Sequence, residues 1–443
     1  LVAHSAPLPI ENLGDAGFKS AFGVRYAYVC GAMANGITSV EMVAAAGQAG
    51  MIGFFGAAGL APQAVEKAID RLQAIRPEIP FGFNLIHSPN DMALEREIVD
   101  LYLRRGIRKV SASAYLDLTL PLVYYRVKGI HAGPDGTVVC PNKVVAKVSR
   151  MEVARRFLAP PPDKHLKALV SQRLITDVEA GLAKKVAMAD AISAEADSGG
   201  HTDNRPALAL LPTFLALRDE SAAKHGYARP IPVGLGGGIA TPDAAAAAFA
   251  MGAAYVLTGS VNQACVEAGT CEAVKKMLAE AEQADVIMAP AADMFEMGVR
   301  VQVLKRGTMF AMRAARLYDL YCAHASFEDL QPADRLFVEK QLLQTSFEAA
   351  WEQTEAFFRE RDPAQIERAL KDPKHKMALV FRSYLGQTSR WAVNGVSNRQ
   401  IDYQIWCGPA MGAFNAWTKG SFLASPENRD TVTVALNLSL IHI

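Results

Sequence analysis

Across 443 residues, 46 lysines and arginines offset 45 aspartates and glutamates for a net charge of +1, and 51% of the chain is hydrophobic. Such a balance offers nucleic acid no basic footprint, and the densest basic runs, Arg104-Arg105 and Lys184-Lys185, read as solvated helix faces. No apolar run approaches membrane-spanning length and no secretory leader is evident, so the expected compartment is the cytosol with no membrane partner, and the length suffices for a barrel plus a second unit.

Cysteines 30, 140, 265, 271, 322 and 407 form no Cys-x-x-Cys pair and no local Cys/His set, which predicts neither a disulfide framework nor a metal site. The chain opens on Leu1 and closes on Leu440-Ile441-His442-Ile443; both ends are read as incomplete and given no role.

After an N-terminal extension over 1–24, strand and helix patterns alternate through residue 263. Arg25 to Met33 is an apolar strand running into Ala34-Asn35-Gly36, and Thr38 starts a helix through Gln48. Met51 to Phe55 ends in Gly56-Ala57-Ala58-Gly59, with Pro62 opening the next helix. Ile79 to Leu85 carries Asn84 near its end and precedes a helix from about Asn90 to Arg105. Lys109 to Ser113 is the fourth strand, and its Ser111, Ala112 and Ser113 leave room for something flat above a barrel. The pattern loosens over 114–142, read as an insertion on the loop side, before Lys143 to Val148 gives the fifth strand. Pro160-Pro161-Pro162 and a helical stretch to Lys185 follow.

Ile192 to Ala196, the sixth strand, runs into Asp197-Ser198-Gly199-Gly200-His201-Thr202-Asp203-Asn204-Arg205-Pro206. Paired glycines remove side chains where the backbone turns sharply or lies against a ligand, leaving His201 as the first large titratable group beyond. Alone, this motif favours a tight turn whose histidine merely hydrogen-bonds its neighbours. Some thirty residues on, the strand from Ile231 ends in Gly236-Gly237-Gly238, Thr241 and Pro242 cap an alanine-rich helix, and Tyr255-Val256-Leu257-Thr258 ends in Gly259-Ser260. Two adjacent parallel strands ending in bare amides suit one phosphate, at the place where the seventh and eighth strands of a (β/α)8 barrel usually hold it. The fold class predicted is a TIM barrel over 25–263, since no early Gly-x-Gly-x-x-Gly supports a Rossmann site. Beyond it, 264–443 reads as a mainly helical region without strand signals to Arg361, whose apolar face packs on a neighbour, either domain or second copy in a homodimer.

The segment Ala196 to Pro206, the turn Gly234-Leu235-Gly236-Gly237-Gly238-Ile239, Asn142-Lys143-Val144-Val145-Ala146-Lys147-Val148-Ser149-Arg150 and Trp406-Cys407-Gly408-Pro409-Ala410-Met411-Gly412 together resemble the PfaD family over nearly the whole chain. These are the trans-acting enoyl reductases of polyunsaturated fatty acid and polyketide synthases; the barrel is more distantly similar to FabK-type enoyl reductases and nitronate monooxygenases. The resemblance implies FMN in the barrel mouth, NADPH (or NADH) as hydride donor, and an enoyl thioester on an acyl carrier protein as acceptor. On that reading Gly237, Gly238, Gly259 and Ser260 hold the FMN phosphate, and Met33, Ala34 and Asn84 line the flavin ring. Lys147 is either a cation near the flavin or a strand-end lysine reaching solvent. His201 is the catalytic residue, as proton donor, carbonyl-orienting group or charge stabiliser. For Asp197, Asp203 and Arg205 the expectation is ion pairing that stiffens the loop. Two other functions stay open: nitronate oxidation by a flavin on the same scaffold, and a non-redox barrel binding a sugar phosphate.

Overall fold

The computed structural model describes residues 8–87 and 92–440. Eight parallel strands close into a barrel in chain order: β1 Tyr28–Cys30, β2 Ile52–Phe55, β3 Phe81–Ile86, β4 Lys109–Ser113, β5 Lys143–Val148, β6 Ala191–Glu195, β7 Val233–Gly236 and β8 Val256–Thr258, with β8 pairing back to β1. Each strand is buried almost throughout, as expected of a sheet packed on both faces. The predicted start of the third helix at Asn90 lies outside the described residues; the helix is seen as Met92–Arg104. Between β4 and β5 the chain is more regular than expected, with a helix Leu120–Val127 N-capped by Thr119 and a small hairpin pairing His131–Ala132 with Val138–Val139.

The N-terminal segment belongs to the barrel core. Helix Ala16–Phe22 buries Phe18 and Phe22, and Phe18 stacks on Tyr255 with ring centroids 4.1 Å apart. Asp15 N–H donates to Ala254 O at 2.9 Å, tying this helix to the start of β8. The amino end of the barrel is thereby filled with aromatic rings, leaving the carboxyl ends of the strands for chemistry.

The chain folds as two units, one built from the described parts of Leu1–Ser198, Thr202–Gly269 and Ala413–Ile443, the other from Gly199–His201 and Thr270–Gly412. In the first, only the short helix Ser260–Gln263 directly follows β8, and helix Thr431–Ser439 packs against helices Pro242–Ala250 and Val40–Gln48. The C-terminal helix thus stands in the ring position that the eighth helix of a barrel fills. It is fixed there by Thr431, whose N–H and Oγ1 donate to the Glu267 carboxylate at 2.9–3.0 Å.

The second unit is mainly helical, as expected, but it corrects the expectation that strands are absent from it. Strands β9 Val286–Pro290 and β10 Arg300–Leu304 form an antiparallel pair, and β10 also pairs with Gly200–His201. Val301 and Val303 point one way from β10 into a core with Phe295, Phe310, Leu317, Phe381 and Leu385. That period-two alternation is only five residues long and is embedded between helices, so helical periodicity masks it. Helix Pro373–Asn394 is the spine of this unit and buries eleven residues. Among the described residues no helix is long and apolar enough to cross a membrane.

Candidate active site

Because all eight strands run parallel, residues at their carboxyl ends come to one rim whatever their separation in sequence. Gly237 and Gly238 follow β7 with φ of +88° and +77°, a region that favours glycine. The two face different surroundings. A Cβ on Gly237 would lie 2.7 Å from the backbone of Ala196 and Asp197, so Gly237 lets this turn lie against the end of β6. A Cβ on Gly238 or Gly259 would meet nothing within 4 Å. Gly259 is also the N-cap of helix Ser260–Gln263, and Thr241 caps helix Pro242–Ala250 by accepting from Ala244 N–H at 3.2 Å. The residues therefore fit a phosphate: bare backbone beside open space on two neighbouring strands, next to capped helix starts.

On β3, Asn84 is 6% exposed and its Nδ2 donates to Ser111 O at 3.1 Å and Ser113 Oγ at 3.3 Å on β4. Its backbone oxygen accepts from Tyr102 Oη at 2.8 Å. Such an amide is held in one orientation, as a group reading a planar ring must be. Met33 and Ala34 follow β1 in a loop fixed by Thr38, whose Oγ1 accepts from Met33 N–H at 2.9 Å and donates to Gly31 O at 2.7 Å. Lys147 does not reach out to solvent: its Nζ pairs with Glu195 on the adjacent β6. Ser198 Oγ also donates to Glu195, at 3.1 Å. Lys147 and Glu195 are thus a mostly buried pair on the rim, with side chains 24% and 12% exposed.

His201 belongs to the second unit. The register Val301↔His201 holds it on β10, and its Nε2 lies 3.1 Å from Asp293 Oδ1. Partial desolvation works to raise the Asp293 carboxyl, whose side chain is still 48% exposed, but the hydrogen bond and charge of His201 outweigh it and hold it below the ordinary carboxylate range. The paired glycines have separate reasons. Gly200 turns with φ +80°, while a Cβ on Gly199 would lie 2.8 Å from the backbone nitrogen of Cys407. What lies against Gly199 is therefore the Trp406-Cys407 chain, which itself bridges Val303 and hydrogen-bonds Gln302 O. Asp203 pairs with Arg150 through two bonds of 2.9 and 3.0 Å, and Ser149 Oγ donates to it at 2.6 Å. The Arg150 hydrogen bonds lower the Asp203 carboxyl. Asp197 accepts from Asn204 Nδ2 at 2.8 Å. Loop stiffening is what these contacts do, with Arg150 rather than Arg205 as the cation.

Two groups escape sequence reasoning. Asp293 is 92 residues from His201 and sits in a segment whose strands helical periodicity hides. The second is a cluster on the rim beyond β3 and β4. Glu95, with a side chain 0% exposed, accepts from Tyr115 Oη at 3.0 Å and from Thr119 Oγ1, and His87 Nδ1 lies 3.3 Å from its other oxygen. The usable signal is a histidine directly after a strand and an acid in the first turn of the next helix.

Comparison with known proteins supplies the family. Residues 18–325 match the family model for nitronate monooxygenase. Residues 324–403 match the inserted helical domain of acyl-carrier-protein S-malonyltransferase. Over 425 residues the chain is 47% identical to a polyunsaturated fatty acid synthase subunit of Thraustochytrium sp., covering 95% of this chain and 28% of that protein. It is 44% identical to polyketide biosynthesis protein PksE of Bacillus subtilis over 96% of this chain and 55% of that protein. The chain thus spans about a quarter to about half the length of these two relatives. Among solved structures, the enoyl reductase domain of MlnA from the macrolactin biosynthesis cluster of Bacillus amyloliquefaciens matches with a TM-score of 0.93 and 38% identity, covering 97% of each chain. The chain belongs to the nitronate monooxygenase family and, within it, to the group that holds this enoyl reductase domain.

Proposed function

We propose that this chain is an FMN-dependent enoyl reductase that uses NAD(P)H to reduce the double bond of an acyl-carrier-protein-bound enoyl thioester in polyunsaturated fatty acid or polyketide synthesis. The observation that carries this reading is the match to the enoyl reductase domain of MlnA over 97% of both chains. Bound FMN would supply the hydride that the conjugated carbon–carbon bond takes up. The chain's own residues do the rest. Backbone at Gly238, Gly259 and Ser260 cradles the phosphate, with Gly237 shaping the turn. Asn84, fixed by Ser111 and Ser113, reads the ring edge, and Met33 and Ala34 line it. Lys147 keeps positive charge on the rim while Glu195 holds it in place. His201, braced by Asp293, acts on the thioester end of the acceptor. The match of the helical segment to a domain inserted in an acyl-carrier-protein transferase supports a carrier protein as partner.

The test is stopped-flow reoxidation of reduced enzyme by crotonyl thioester, with and without a carrier protein attached. Reoxidation that is faster for the carrier-bound acceptor is expected. The family model favours one other reading, nitronate oxidation. Oxygen uptake driven by propionate 3-nitronate that outpaces enoyl-driven NAD(P)H oxidation would replace the enoyl reductase reading with that one.

A further inference from the structure

Burying a carboxylate is costly unless its oxygens are satisfied, and an apolar residue at Glu95 would serve packing alone as well. Glu95 instead sits at the centre of a built cluster. Tyr115 and Thr119 donate to one oxygen, and His87 Nδ1 faces the other. Tyr115 also stacks on the His87 ring, with centroids 5.4 Å apart at 26°. Burial first, and then the charge of Glu95, push the Tyr115 phenol well above its ordinary value, so it stays a donor to Glu95. Glu95 and Tyr115 are the titratable groups on the helix and the loop packed against His87, and Tyr102 stands behind Tyr115. The imidazole, 15% exposed, is thus clamped by Glu95 and Tyr115.

Its position is tied to the candidate site. His87 N–H donates to Ser113 O at 3.1 Å, and the hydroxyl of the same serine accepts from Asn84. The histidine therefore sits on the rim one serine away from a residue assigned to the flavin. By contrast, the His201–Asp293 pair has side chains 35% and 48% exposed, where solvent screens the pairing.

Resting on the enoyl reductase reading, we propose that His87, held by Glu95, is the acid–base group that delivers the proton in the acceptor half-reaction, while His201 orients the thioester. With Nδ1–H donated to Glu95, Nε2 is the working nitrogen. The loaded dyad is the imidazolium paired with the Glu95 carboxylate, with Nδ1–H donated to Glu95 and the deliverable proton on Nε2. The α-carbon, made basic when hydride arrives at the β-carbon, forms its new C–H bond with the Nε2 proton, the N–H bond breaks, and water restores the proton afterwards.

Flavin-loaded His87→Ala, His87→Gln and Glu95→Gln are compared with wild type in single-turnover reoxidation by a crotonyl thioester on acyl carrier protein. Flavin occupancy and thermal stability are measured on the same samples. Reoxidation should slow by roughly 10²–10⁴-fold in the His87 variants, the range for losing a positioned acid–base group, with flavin reduction by NADPH little changed. Added imidazole should restore part of the rate in His87→Ala and none in His201→Ala. In 15N spectra of the wild type, His87 should carry its proton on Nδ1, and Glu95→Gln should disturb that pattern. Wild-type reoxidation in His87→Gln overturns the proposal, as does a defect explained wholly by lost flavin or stability. If the variants do not fold, a wild-type spectrum with the neutral ring protonated on Nε2 alone overturns it. A wild type that no enoyl thioester reoxidises overturns the enoyl reductase reading itself, and this role with it.

Discussion

Gly259→Asp separates the proposed phosphate cradle from the fold that carries it. At Gly259 φ is −134° and an added Cβ would meet nothing within 4 Å, so the side chain enters open space without moving a neighbour. If that space is where the phosphate goes, a carboxylate stands beside it. Two unit charges about 4 Å apart at an effective dielectric of about 20 repel by ~4 kcal/mol, which is about a thousandfold in affinity, and a phosphate carrying more than one charge raises the penalty. Gly259→Ala is the steric control and should keep affinity within about tenfold, the equivalent of ~1.4 kcal/mol. Gly237→Asp is the wrong variant for this purpose. Its Cβ would lie 2.7 Å from backbone atoms of Ala196 and Asp197 at φ +88°, so it should misfold rather than report on the ligand. FMN affinity is read by flavin fluorescence on reconstitution, with circular dichroism confirming the barrel. Gly259→Asp that binds FMN like wild type would remove Gly259 from the site and refute the phosphate assignment.

His201→Ala should retain flavin and its reduction by NADPH, while reoxidation by the enoyl thioester slows by roughly 10²–10³-fold in stopped flow, the range for losing one donor to a developing oxyanion; equal loss in both half-reactions would make His201 structural. Lys147→Met leaves Glu195 without its cation at 12% exposure and should cost about 1–3 kcal/mol in urea denaturation. Lys147→Met/Glu195→Gln should recover that stability but not flavin-dependent turnover, and recovery of both would reduce the pair to a brace. Asp203→Asn should cost about 1 kcal/mol near pH 7, discounted because Arg150 is 46% exposed. The folded-state carboxyl is depressed, so its contribution is complete above the ordinary carboxylate range and is lost as pH falls through the lowered value. Wild type and Asp203→Asn should therefore converge in acid denaturation, and a gap that widens toward low pH contradicts the pairing. Truncation after Thr418 removes helix Thr431–Ser439 with its buried Val434, Ala435 and Leu438, and should yield aggregated protein on size exclusion; a soluble, flavin-loaded barrel would show that this helix does not complete the ring.

The barrel was legible because each strand is short, apolar and punctuated. Ile52–Phe55 runs into Gly56-Ala57-Ala58-Gly59, Val233–Gly236 into two more glycines, and Val256–Thr258 into Gly259-Ser260. Parallel direction then places Asn84, Lys147, Gly238 and Gly259 on one rim without further information. Ring closure was not legible. Nothing in the sequence of helix Thr431–Ser439 says that it returns to pack beside helices Pro242–Ala250 and Val40–Gln48 after the chain has built another unit. Neighbour pairings were hidden for a similar reason. Lys147 meets Glu195 because β5 lies beside β6 with Lys147 opposite Ser193, a register that composition does not encode.

The paired glycines show how far a motif can carry an argument. Their sequence demands a turn and a close approach, and both are present. It leaves open what approaches. Gly200 supplies the turn, whereas Gly199 admits the backbone of Cys407, in the stretch Trp406-Cys407-Gly408 that also carries the family resemblance. Cys407 N–H donates to Gln302 O, and Gln302 pairs with Gly200 on the same strand that holds His201. The two most distinctive stretches of the sequence are therefore one piece of structure, and their shared strand β10 is the element that the helical reading of this region passed over. A glycine beside a reactive residue reports lack of space; whether chain or ligand fills that space is decided by elements far away in sequence. For Gly199 and Gly237 the chain fills it, and for Gly238 and Gly259 the space is open, which is why the functional weight moves from the glycines nearest the histidine to those beyond β7 and β8.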